Sequence, residues 1–241
     1  MSDNSSLRIA TWNIASNKDY DAITAKIAEL NIDVCAVQEV LLDPATDLPA
    51  LLGRTEGSAR KYHWHFAPAL TPEELGSKLE YYGLAILSRI PLCGTAAFQL
   101  GPKNAGAIAG AEREMRILQV VAPQIERPLL VCNTHLASTA DWSLSAVRRS
   151  QAQRIAGIVK SLARADPMIL CGDFNTGPSS SDLTELREVL PYVHASNEAT
   201  FVGEPGRPPI DFFCSSVALE IDISVCPADG LSDHNIVVGT F

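Results

Sequence analysis

The stretch MILCGDFNTGP, residues 168–178, joins an apolar run to a polar turn, and the fold prediction starts from it. Its first half has the length and apolar content of a buried strand, and Asp173 and Asn175 follow where the run stops. Asp, Asn, Gly and Pro are ordinary turn residues, so the stretch could simply close a strand. If the strand continues to Asn175, its period of two places both side chains on one face, where they could share a target.

Similar apolar runs with turn-rich borders predict further strands at 7–14, 34–40, 84–89, 115–122, 129–136, 211–216 and 236–241. Apolar spacing of three and four residues predicts helices within 19–31, 143–165 and 179–190. The short connection PQIERP indicates that the strands on either side of it pair antiparallel. Because strands and helices do not alternate strictly, we expect large mixed sheets with helices outside, in one domain over residues 1–241. Loop-rich insertions are expected at 43–80 and 99–113.

Composition describes a large globular chain, since its 241 residues are 46% hydrophobic and 20% charged. The formal net charge of −9 argues against the strong basic patch that non-specific nucleic-acid binding uses. An anionic substrate remains compatible with this charge, because a metal site needs carboxylates and supplies its own positive charge. The start MSDNSSLRIATW does not resemble a signal peptide and no long apolar run follows, so we expect a cytoplasmic protein without a transmembrane segment. The oligomeric state is left open.

The six cysteines lie mostly inside apolar runs and show no CxxC spacing. This pattern favours small buried thiols in a reducing compartment over disulfides or zinc ligands.

Polar residues of a few chemical kinds recur at the predicted strand borders: Asn13, Glu39, Asn133, His135, Asp173, Asn175, Asp211, Asp233 and His234. Each has an ordinary interpretation alone, since His135 could be a core histidine and Asp211 a capping residue. Together they place carboxylates, amides and imidazoles where the ends of one sheet edge can converge. Mg²⁺ prefers oxygen ligands, whereas a zinc site would need cysteines or closely spaced histidines. The set could therefore support phosphoester hydrolysis, which needs positive charge on the phosphoryl oxygens and an activated water.

Eight motifs follow the order and approximate spacing of one family: TWNI, VQEV, YYGLAILSR, EMR, NTHL, GDFNTGPSS, RPPIDFF and LSDH. From Leu7 to Phe241 the chain resembles the endonuclease/exonuclease/phosphatase superfamily, which has the fold of deoxyribonuclease I. The resemblance implies an α/β four-layer sandwich, in which two face-packed, largely antiparallel mixed sheets are flanked by helices. It also implies a phosphodiesterase or phosphatase that depends on a divalent metal, usually Mg²⁺, with Mn²⁺ as the alternative.

The resemblance also assigns roles to individual positions. These are Glu39, Asn13 and Asp233 for the metal; His135, Asp173, Asn175, Asp211 and His234 for catalysis; and Glu114, Arg116 and Asn133 for substrate binding. Asp173 is implied to orient or deprotonate the attacking water, and Asn175 to hold the phosphate. His234 is implied to contact the scissile phosphate while Asp211 orients it, and His135 to give a proton to the leaving group. A solvated strand residue is the alternative for Arg116.

The motifs also favour some branches of the superfamily over others. With a histidine at position 135, the chain resembles the deoxyribonuclease, sphingomyelinase, tyrosyl-DNA phosphodiesterase and deadenylase branches rather than the apurinic-site endonucleases. GDFNTGP and IDFF depart from the inositol polyphosphate phosphatases. We expect a metal-dependent phosphodiesterase or nuclease acting on nucleic acid or a small phosphodiester, through in-line attack of an activated water. The alternative is a lipid- or inositol-type phosphomonoesterase or a sphingomyelinase-like enzyme, and a non-catalytic scaffold is expected least.

Two other segments leave alternatives open. YHWHF (62–66) alternates with a period of two, which predicts a strand with its three aromatic residues on one face, although contact with a base or a lipid is the alternative. DWSLSAVRRSQ (141–151) follows the His135 strand. Its Trp142, Arg148 and Arg149 could border the site, or the segment could begin a helix with a solvated basic pair.

Overall fold

The computed structural model describes residues 6–43, 62–76, 80–90, 92–101, 114–120, 128–139, 143–162, 166–204 and 206–241. These residues form a four-layer α/β sandwich of the deoxyribonuclease I type, in which two six-stranded mixed sheets face one another. The strands are β1 (Arg8–Asn13), β2 (Val34–Leu42), β3 (His63–Leu70), β4 (Tyr81–Ser88), β5 (Leu92–Gln99), β6 (Glu114–Val120), β7 (Leu129–His135), β8 (Met168–Asp173), β9 (Tyr192–His194), β10 (Asp211–Ser215), β11 (Asp222–Cys226) and β12 (Ile236–Thr240). Sheet A has the order β11-β12-β1-β2-β4-β3, and sheet B has the order β5-β6-β7-β8-β10-β9.

Helices cover the outer faces of the two sheets. They are α1 (Tyr20–Glu29), α2 (Pro72–Leu75), α3 (Ala146–Leu162) and α4 (Thr184–Val189), with a 3₁₀ turn at Ser181–Leu183. Ile23 and Ile27 of α1 pack in one apolar cluster with Trp12 of sheet A. Ile155 of α3 packs in a second cluster with Leu170 of sheet B. A third cluster, which includes Ile9, Val34, Val131, Ile169 and Phe213, fills the space between the sheets.

Two parallel strand pairs bring the polar strand ends to one edge of the sandwich. In sheet A, β1 and β2 run parallel and Asn13 lies opposite Gln38. In sheet B, β7 and β8 run parallel and His135 lies opposite Asp173, while antiparallel β10 begins with Asp211 opposite the same aspartate. Parallel strands end at the same edge of a sheet. The strand order and direction alone therefore place these side chains close together.

Gly172 allows β7 and β8 to approach each other just before that edge. Its φ is +151°, and a Cβ atom there would lie 1.9 Å from the carbonyl oxygen of Thr134 on β7. Any larger residue would push the two strands apart, so the glycine of the GDFN motif is required by the pairing that aligns His135 with Asp173.

The eight predicted strands and the three predicted helices are confirmed, with small differences at their ends. The antiparallel pairing of β6 with β7 is confirmed as well. YHWHF belongs to the region of β3, with Tyr62 and Trp64 buried in the apolar cluster, so its interpretation as an ordinary strand is correct. The prediction of a loop-rich segment at 43–80 is wrong for β3 and α2, while 44–61 and 102–113 lie outside the described residues.

Three strands were not predicted, each for a local reason. β5 contains glycine and several small residues and little β-branched content. β9 has only 3 residues, and β11 alternates between exposed and half-buried positions at the edge of sheet A. Such weak signals are outweighed by pairing with a neighbouring strand, which the sequence alone does not display.

The described cysteine thiols are free, and Cys35, Cys132, Cys171 and Cys214 are buried. Burial raises the pKa of Cys214 to about 12, which keeps this thiol protonated and unreactive. None of the described helices combines the length and the apolar character that crossing a membrane would require.

Candidate active site

The edge where the parallel pairs end holds a cluster of carboxylates and imidazoles contributed by both sheets. We call Asn13 and Glu39 the sheet A wall, and His135, Asp173 and Asp211 the sheet B wall. His234, from the loop between β11 and β12, lies beside the sheet B wall. These positions were all predicted from the strand-end motifs, and the structure brings them together.

Glu39 is presented by a bulge in β2. Val37 pairs with Ala85 and Val40 pairs with Gly83, so two residues of β2 occupy the space opposite one residue of β4. Glu39 itself has a φ of +56°, in the left-handed region that residues with a side chain seldom adopt. Its side chain is 28% exposed, which makes it the most accessible carboxylate of the two walls.

Asn13 joins the two walls through its side-chain amide. Its Nδ2 donates to Glu39 Oε1 at 3.1 Å and to Asp173 Oδ2 at 3.0 Å. Its Oδ1 accepts from the backbone N–H of Ala15 at 2.9 Å, which fixes the orientation of the amide. Asn13 therefore holds a carboxylate of sheet A and a carboxylate of sheet B at one point.

His135 points to the same place from β7. Its Nε2 lies 3.4 Å from Asp173 Oδ2 and 3.9 Å from Glu39 Oε1, and its side chain is almost completely buried. This placement removes the interpretation of His135 as a core histidine remote from the acids.

Asp211 and His234 form a buried hydrogen-bonded pair. His234 Nδ1 lies 2.9 Å from Asp211 Oδ2, and His234 Nε2 lies 3.9 Å from Asp173 Oδ2. Burial alone lowers the pKa of His234, but the charge and hydrogen bond of Asp211, with the charges of Asp173 and Asp233, outweigh it and raise this pKa to about 10. His234 is accordingly an imidazolium at neutral pH, and its Nδ1–H donates to Asp211.

Asp173 is held in place at both of its oxygen atoms. Oδ1 accepts from the backbone N–H of Asn175 at 2.8 Å, and Oδ2 accepts from Asn13. Burial, followed by the negative charge of Asp211, raises the pKa of Asp173 to about 7, although His234 and the two hydrogen bonds oppose the shift. A carboxylate that gains or loses a proton near neutrality suits proton transfer.

The segment after His135 is clamped at four backbone groups. Leu136 N–H donates to the carbonyl of Asp173 at 2.9 Å, and Leu136 O accepts from Asn175 Nδ2 at 2.9 Å. Ala137 N–H donates to Gln151 Oε1 at 2.8 Å, and Ala137 O accepts from Arg148 Nη1 at 3.0 Å. The amide of Asn175 thus supports the strand end; the holding of a phosphate by Asn175 stays a prediction.

Arg148 anchors this clamp through a buried ion pair. Its Nη2 lies 2.8 Å from Asp182 Oδ2, and both side chains are completely buried. Neither interpretation of the basic pair fits Arg148, which is neither solvated nor at the rim of the site; Arg149 is 46% exposed. Trp142 lies outside the described residues.

The loop that carries His234 is tied to β1. Trp12 Nε1 donates to the carbonyl of His234 at 3.1 Å. Ser232 Oγ donates to the carbonyl of Asn13 at 2.6 Å and accepts from His234 N–H at 3.0 Å. The TWN and SDH motifs are therefore held together by hydrogen bonds. Because the two motifs lie far apart in the sequence, this contact was not predicted.

Other predicted positions lie differently. Asn133 is completely buried, and its amide is bonded to Gln38, Val37 and Ala85, so the structure does not bring it into the cluster. Asp233 is exposed beside His234. The side chains of Glu114 and Arg116 are outside what the structure describes, and their roles stay predictions.

Thr200 and Phe201 contribute to the site without having been predicted. Thr200 Oγ1 accepts from the backbone N–H groups of Ile210 and Asp211, both at 3.1 Å, which positions the start of β10. The ring of Phe201 lies 5.1 Å from the ring of His234, measured between centroids. A Thr-Phe pair shortly before the RPPIDFF motif was the available signal, but it has no catalytic chemistry of its own.

Comparison with known proteins gives a consistent result. A model described as the Endonuclease/Exonuclease/phosphatase family matches residues 10–234. An endonuclease/exonuclease/phosphatase from Beutenbergia cavernae DSM 12333 superposes with a TM-score of 0.72 at 20% identity, covering 98% of this chain and 71% of that one. The human nocturnin catalytic domain, solved with a bound sulfate anion, has a TM-score of 0.71 at 19% identity and coverages of 98% and 93%.

A mannosyl-6-phosphatase from Bacteroides thetaiotaomicron VPI-5482 superposes with a TM-score of 0.66 at 18% identity, with coverages of 97% and 98%. Identities this low indicate a shared fold rather than a shared substrate. A search of curated protein sequences found no match.

Proposed function

Because this chain belongs to the endonuclease/exonuclease/phosphatase family, we propose that it is a metal-dependent phosphoester hydrolase that acts first on phosphodiesters, in nucleic acid or in a small molecule. The observation that carries the proposal is the convergence of the two walls: His135 Nε2 lies within 3.9 Å of both Glu39 and Asp173. Family members share the phosphoester chemistry, whereas the substrate is specific to each protein.

Glu39 is the residue we propose to hold a divalent cation, with Asn13 beside it and Asp233 as a further ligand. Among the described residues, Asn13 is the one hydrogen-bond donor to the Glu39 carboxylate, at Oε1, and the side chain is 28% exposed. Mg²⁺ commonly uses one or two protein carboxylates and keeps several waters, which this donor set fits, and Mn²⁺ has similar preferences. When bound, the cation supplies positive charge to the phosphoryl oxygens.

Asp173, Asp211 and His234 also place three potential ligand atoms within 4.8 Å of one another. We propose that this group handles protons rather than the cation. The ring Nδ1 of His234 is already bonded to Asp211, and the neighbouring carboxylates raise the pKa of His234 to about 10, which favours a proton on the ring. The more accessible Glu39 is the better oxygen ligand.

His234 is proposed to bind the phosphate. With Nδ1–H held by Asp211, its Nε2–H can donate to a non-bridging phosphoryl oxygen, and the positive charge strengthens that hydrogen bond. As charge develops on this oxygen in the transition state, the interaction becomes stronger.

Asp173 is proposed to accept the proton of the attacking water at Oδ2. The water oxygen forms the new bond to phosphorus, and the bond from phosphorus to the leaving oxygen breaks. We assign the proton for the leaving oxygen to His135, whose Nε2 lies 3.4 Å from Asp173 Oδ2. Proton removal and proton delivery are then performed by neighbouring groups of the sheet B wall.

The charge of the site supports a phosphodiester as the first substrate. Asp173 and Asp211 lie beside the His234 imidazolium, and Glu39 is reserved for the cation, so the described side chains themselves add little positive charge. A phosphodiester carries one negative charge and is repelled less by these groups than a phosphomonoester dianion. A phosphomonoesterase, such as the mannosyl-6-phosphatase of the same fold, is the outcome to be tested against it.

The test is a panel of phosphoesters assayed with Mg²⁺ and with Mn²⁺: bis-p-nitrophenyl phosphate, p-nitrophenyl phosphate, DNA and RNA. We expect turnover of diesters, loss of turnover after chelation, and loss in the Glu39→Gln and His234→Ala variants. Glu29→Gln, which changes an exposed carboxylate on α1, is the matched control and should retain full turnover. Preference for p-nitrophenyl phosphate would replace the diester proposal with a monoesterase, and inertness on every substrate would contradict hydrolysis.

A further inference from the structure

The bulge that presents Glu39 is tied to the opposite sheet by a hydrogen-bonded pair of side-chain amides, Gln38 of β2 and Asn133 of β7. Asn133 on β7 reaches across the sandwich and donates both Nδ2 hydrogens to sheet A, to Val37 O at 2.9 Å and to Ala85 O at 2.8 Å. Its Oδ1 accepts from Gln38 Nε2 at 2.7 Å. We call these two residues, Gln38 and Asn133, the amide bridge.

The amide bridge lies at the point where the β2–β4 ladder is interrupted. Val37 and Ala85 are the last regular pair before the bulge, and Gln38 and Glu39 are the two residues within it. A bulge locally disrupts the ladder and leaves backbone groups that need other partners. Asn133 donates to one carbonyl on each strand at the last regular pair before the interruption, so it ties β2 and β4 together at the start of the bulge.

The burial of the amide bridge makes these bonds obligatory. Gln38 and Asn133 have no solvent exposure, so water is not available to replace a lost donor. Loss of the Asn133 donors from these buried carbonyls is unfavourable, and we expect the backbone to shift toward a geometry that compensates for it. Because Glu39 lies within the bulge with a positive φ, we expect such a shift to change this φ and to turn the carboxylate away from Asn13.

We propose that Asn133 is a positioning residue that sets the direction of the Glu39 carboxylate, and through it the affinity of the site for a divalent cation. The inference rests on the proposed role of Glu39 as the cation ligand. Asn133 and His135 lie two residues apart on β7 and so share one strand face, which lets a single strand orient both the sheet A carboxylate and the sheet B imidazole.

The experiment titrates the purified protein with Mn²⁺ and measures the concentration of the free ion by electron paramagnetic resonance. Asn133→Leu has a similar size but cannot donate to Val37 or Ala85. We expect its Kd for Mn²⁺ to rise about tenfold or more, as is common when a residue that orients a ligand is removed. Glu39→Gln should remove Mn²⁺ binding altogether.

Thr11→Val is the matched control for loss of a buried polar contact. Thr11 is also completely buried, and its Oγ1 accepts from Gln38 Nε2 at 3.0 Å, but the side-chain donor to the Val37 and Ala85 carbonyls is Asn133. We expect this variant to lose stability in urea and to keep the wild-type Kd for Mn²⁺. A purely structural role for Asn133 would instead give the two variants the same unchanged Kd.

The outcomes separate the two proposals. Wild-type Mn²⁺ affinity in folded Asn133→Leu, together with loss of binding in Glu39→Gln, would overturn the positioning role and leave the cation site standing. Unchanged binding in Glu39→Gln would overturn the cation site itself. If Asn133→Leu does not fold, the nuclear magnetic resonance signals of the wild-type Asn133 side-chain amide decide: Mg²⁺ should shift them in proportion to site occupancy, and signals that stay fixed would contradict the inference.

Discussion

The two walls of the site hold their side chains by different means. In the sheet A wall, Glu39 depends on an interrupted ladder, a positive φ and side-chain amides, and it remains 28% exposed. In the sheet B wall, Asp173 lies in a regular parallel pair whose continuation is clamped at every backbone group of Leu136 and Ala137. An accessible carboxylate suits a cation, and buried, rigidly held groups suit proton transfer.

Because of this difference, we expect the two walls to differ in the substitutions that they tolerate. A bulge closed by one asparagine can change direction without unfolding the sheet, because most of the β2–β4 ladder continues on either side of it. The clamp on sheet B connects β7, β8, α3 and the 3₁₀ turn through Arg148 and Asp182, so its loss reaches the packing of the whole face. Variants in the sheet A wall should therefore affect function, and variants in the clamp should affect stability as well.

The two variants with the largest expected effects distinguish cation binding from proton transfer. Glu39→Gln and Asp173→Asn should each lower kcat by about a thousandfold or more, since each removes a group that acts on the reacting atoms. Mn²⁺ binding should disappear only in Glu39→Gln. Steady-state kinetics with a parallel Mn²⁺ titration distinguishes the walls, and loss of Mn²⁺ binding in both variants would mean that the walls form one cation site.

The second prediction concerns the clamp. Arg148→Met removes the buried cationic partner of Asp182 and leaves only Arg149 at 3.5 Å, which should lower the free energy of unfolding by about 3–5 kcal/mol in a urea titration. Arg149→Met removes only the longer contact of a 46% exposed side chain with Asp182, so it should lower the urea midpoint much less. Equal stability of the two variants would show that the ion pair does not anchor the segment after His135.

The third prediction concerns pH in metal-free protein. The pKa of His234 is raised to about 10 from an ordinary value near 6.5, so its contribution to stability is fully present below pH 6.5 and is lost as pH rises through 10. Asp211→Asn should lower this pKa and remove about 2 kcal/mol of stability near neutral pH. Titration of the His234 ring signal by nuclear magnetic resonance checks both proteins. A midpoint near 6.5 in the wild type would contradict the imidazolium assignment.

The smallest expected effect strengthens the helix that carries the clamp. Gly157 is exposed in the interior of α3, and a Cβ atom there would meet nothing within 4 Å. Gly157→Ala should therefore stabilise the protein by about 1 kcal/mol, raising Tm by about 3 °C, with unchanged kcat. Calorimetry and steady-state kinetics measure the two quantities, and a changed kcat would mean that motion of α3 enters the reaction.

The residues of the sheet B wall could be predicted from the sequence. The contacts that support either wall could not. His135 and Asp173 follow apolar runs and His234 precedes one, and their chemistry made them recognisable once the motifs were taken together. The bulge at Glu39 was not predictable, because VQEV has the composition of a continuous strand and its interruption depends on β4 and β7.

The amide bridge and the clamp were missed for a related reason. Asn133 was expected to bind substrate, and Arg148 to be a rim residue or a solvated one, since a polar side chain beside a catalytic motif suggests either role. Their burial is set by contacts between strands and helices far apart in the chain, such as Asn133 with Val37 and Arg148 with Asp182. In this protein the local sequence pattern identifies the residues with catalytic chemistry. The residues that position them are identified from tertiary packing.

Hydrolysis of bis-p-nitrophenyl phosphate by the wild type and by Glu39→Gln, each assayed with Mg²⁺ and after chelation, addresses the joint action of the two walls most directly. We predict turnover that requires Mg²⁺ in the wild type and is lost in Glu39→Gln while the protein remains folded. Turnover that survives chelation, or that persists in Glu39→Gln, would contradict a cation held by the sheet A wall.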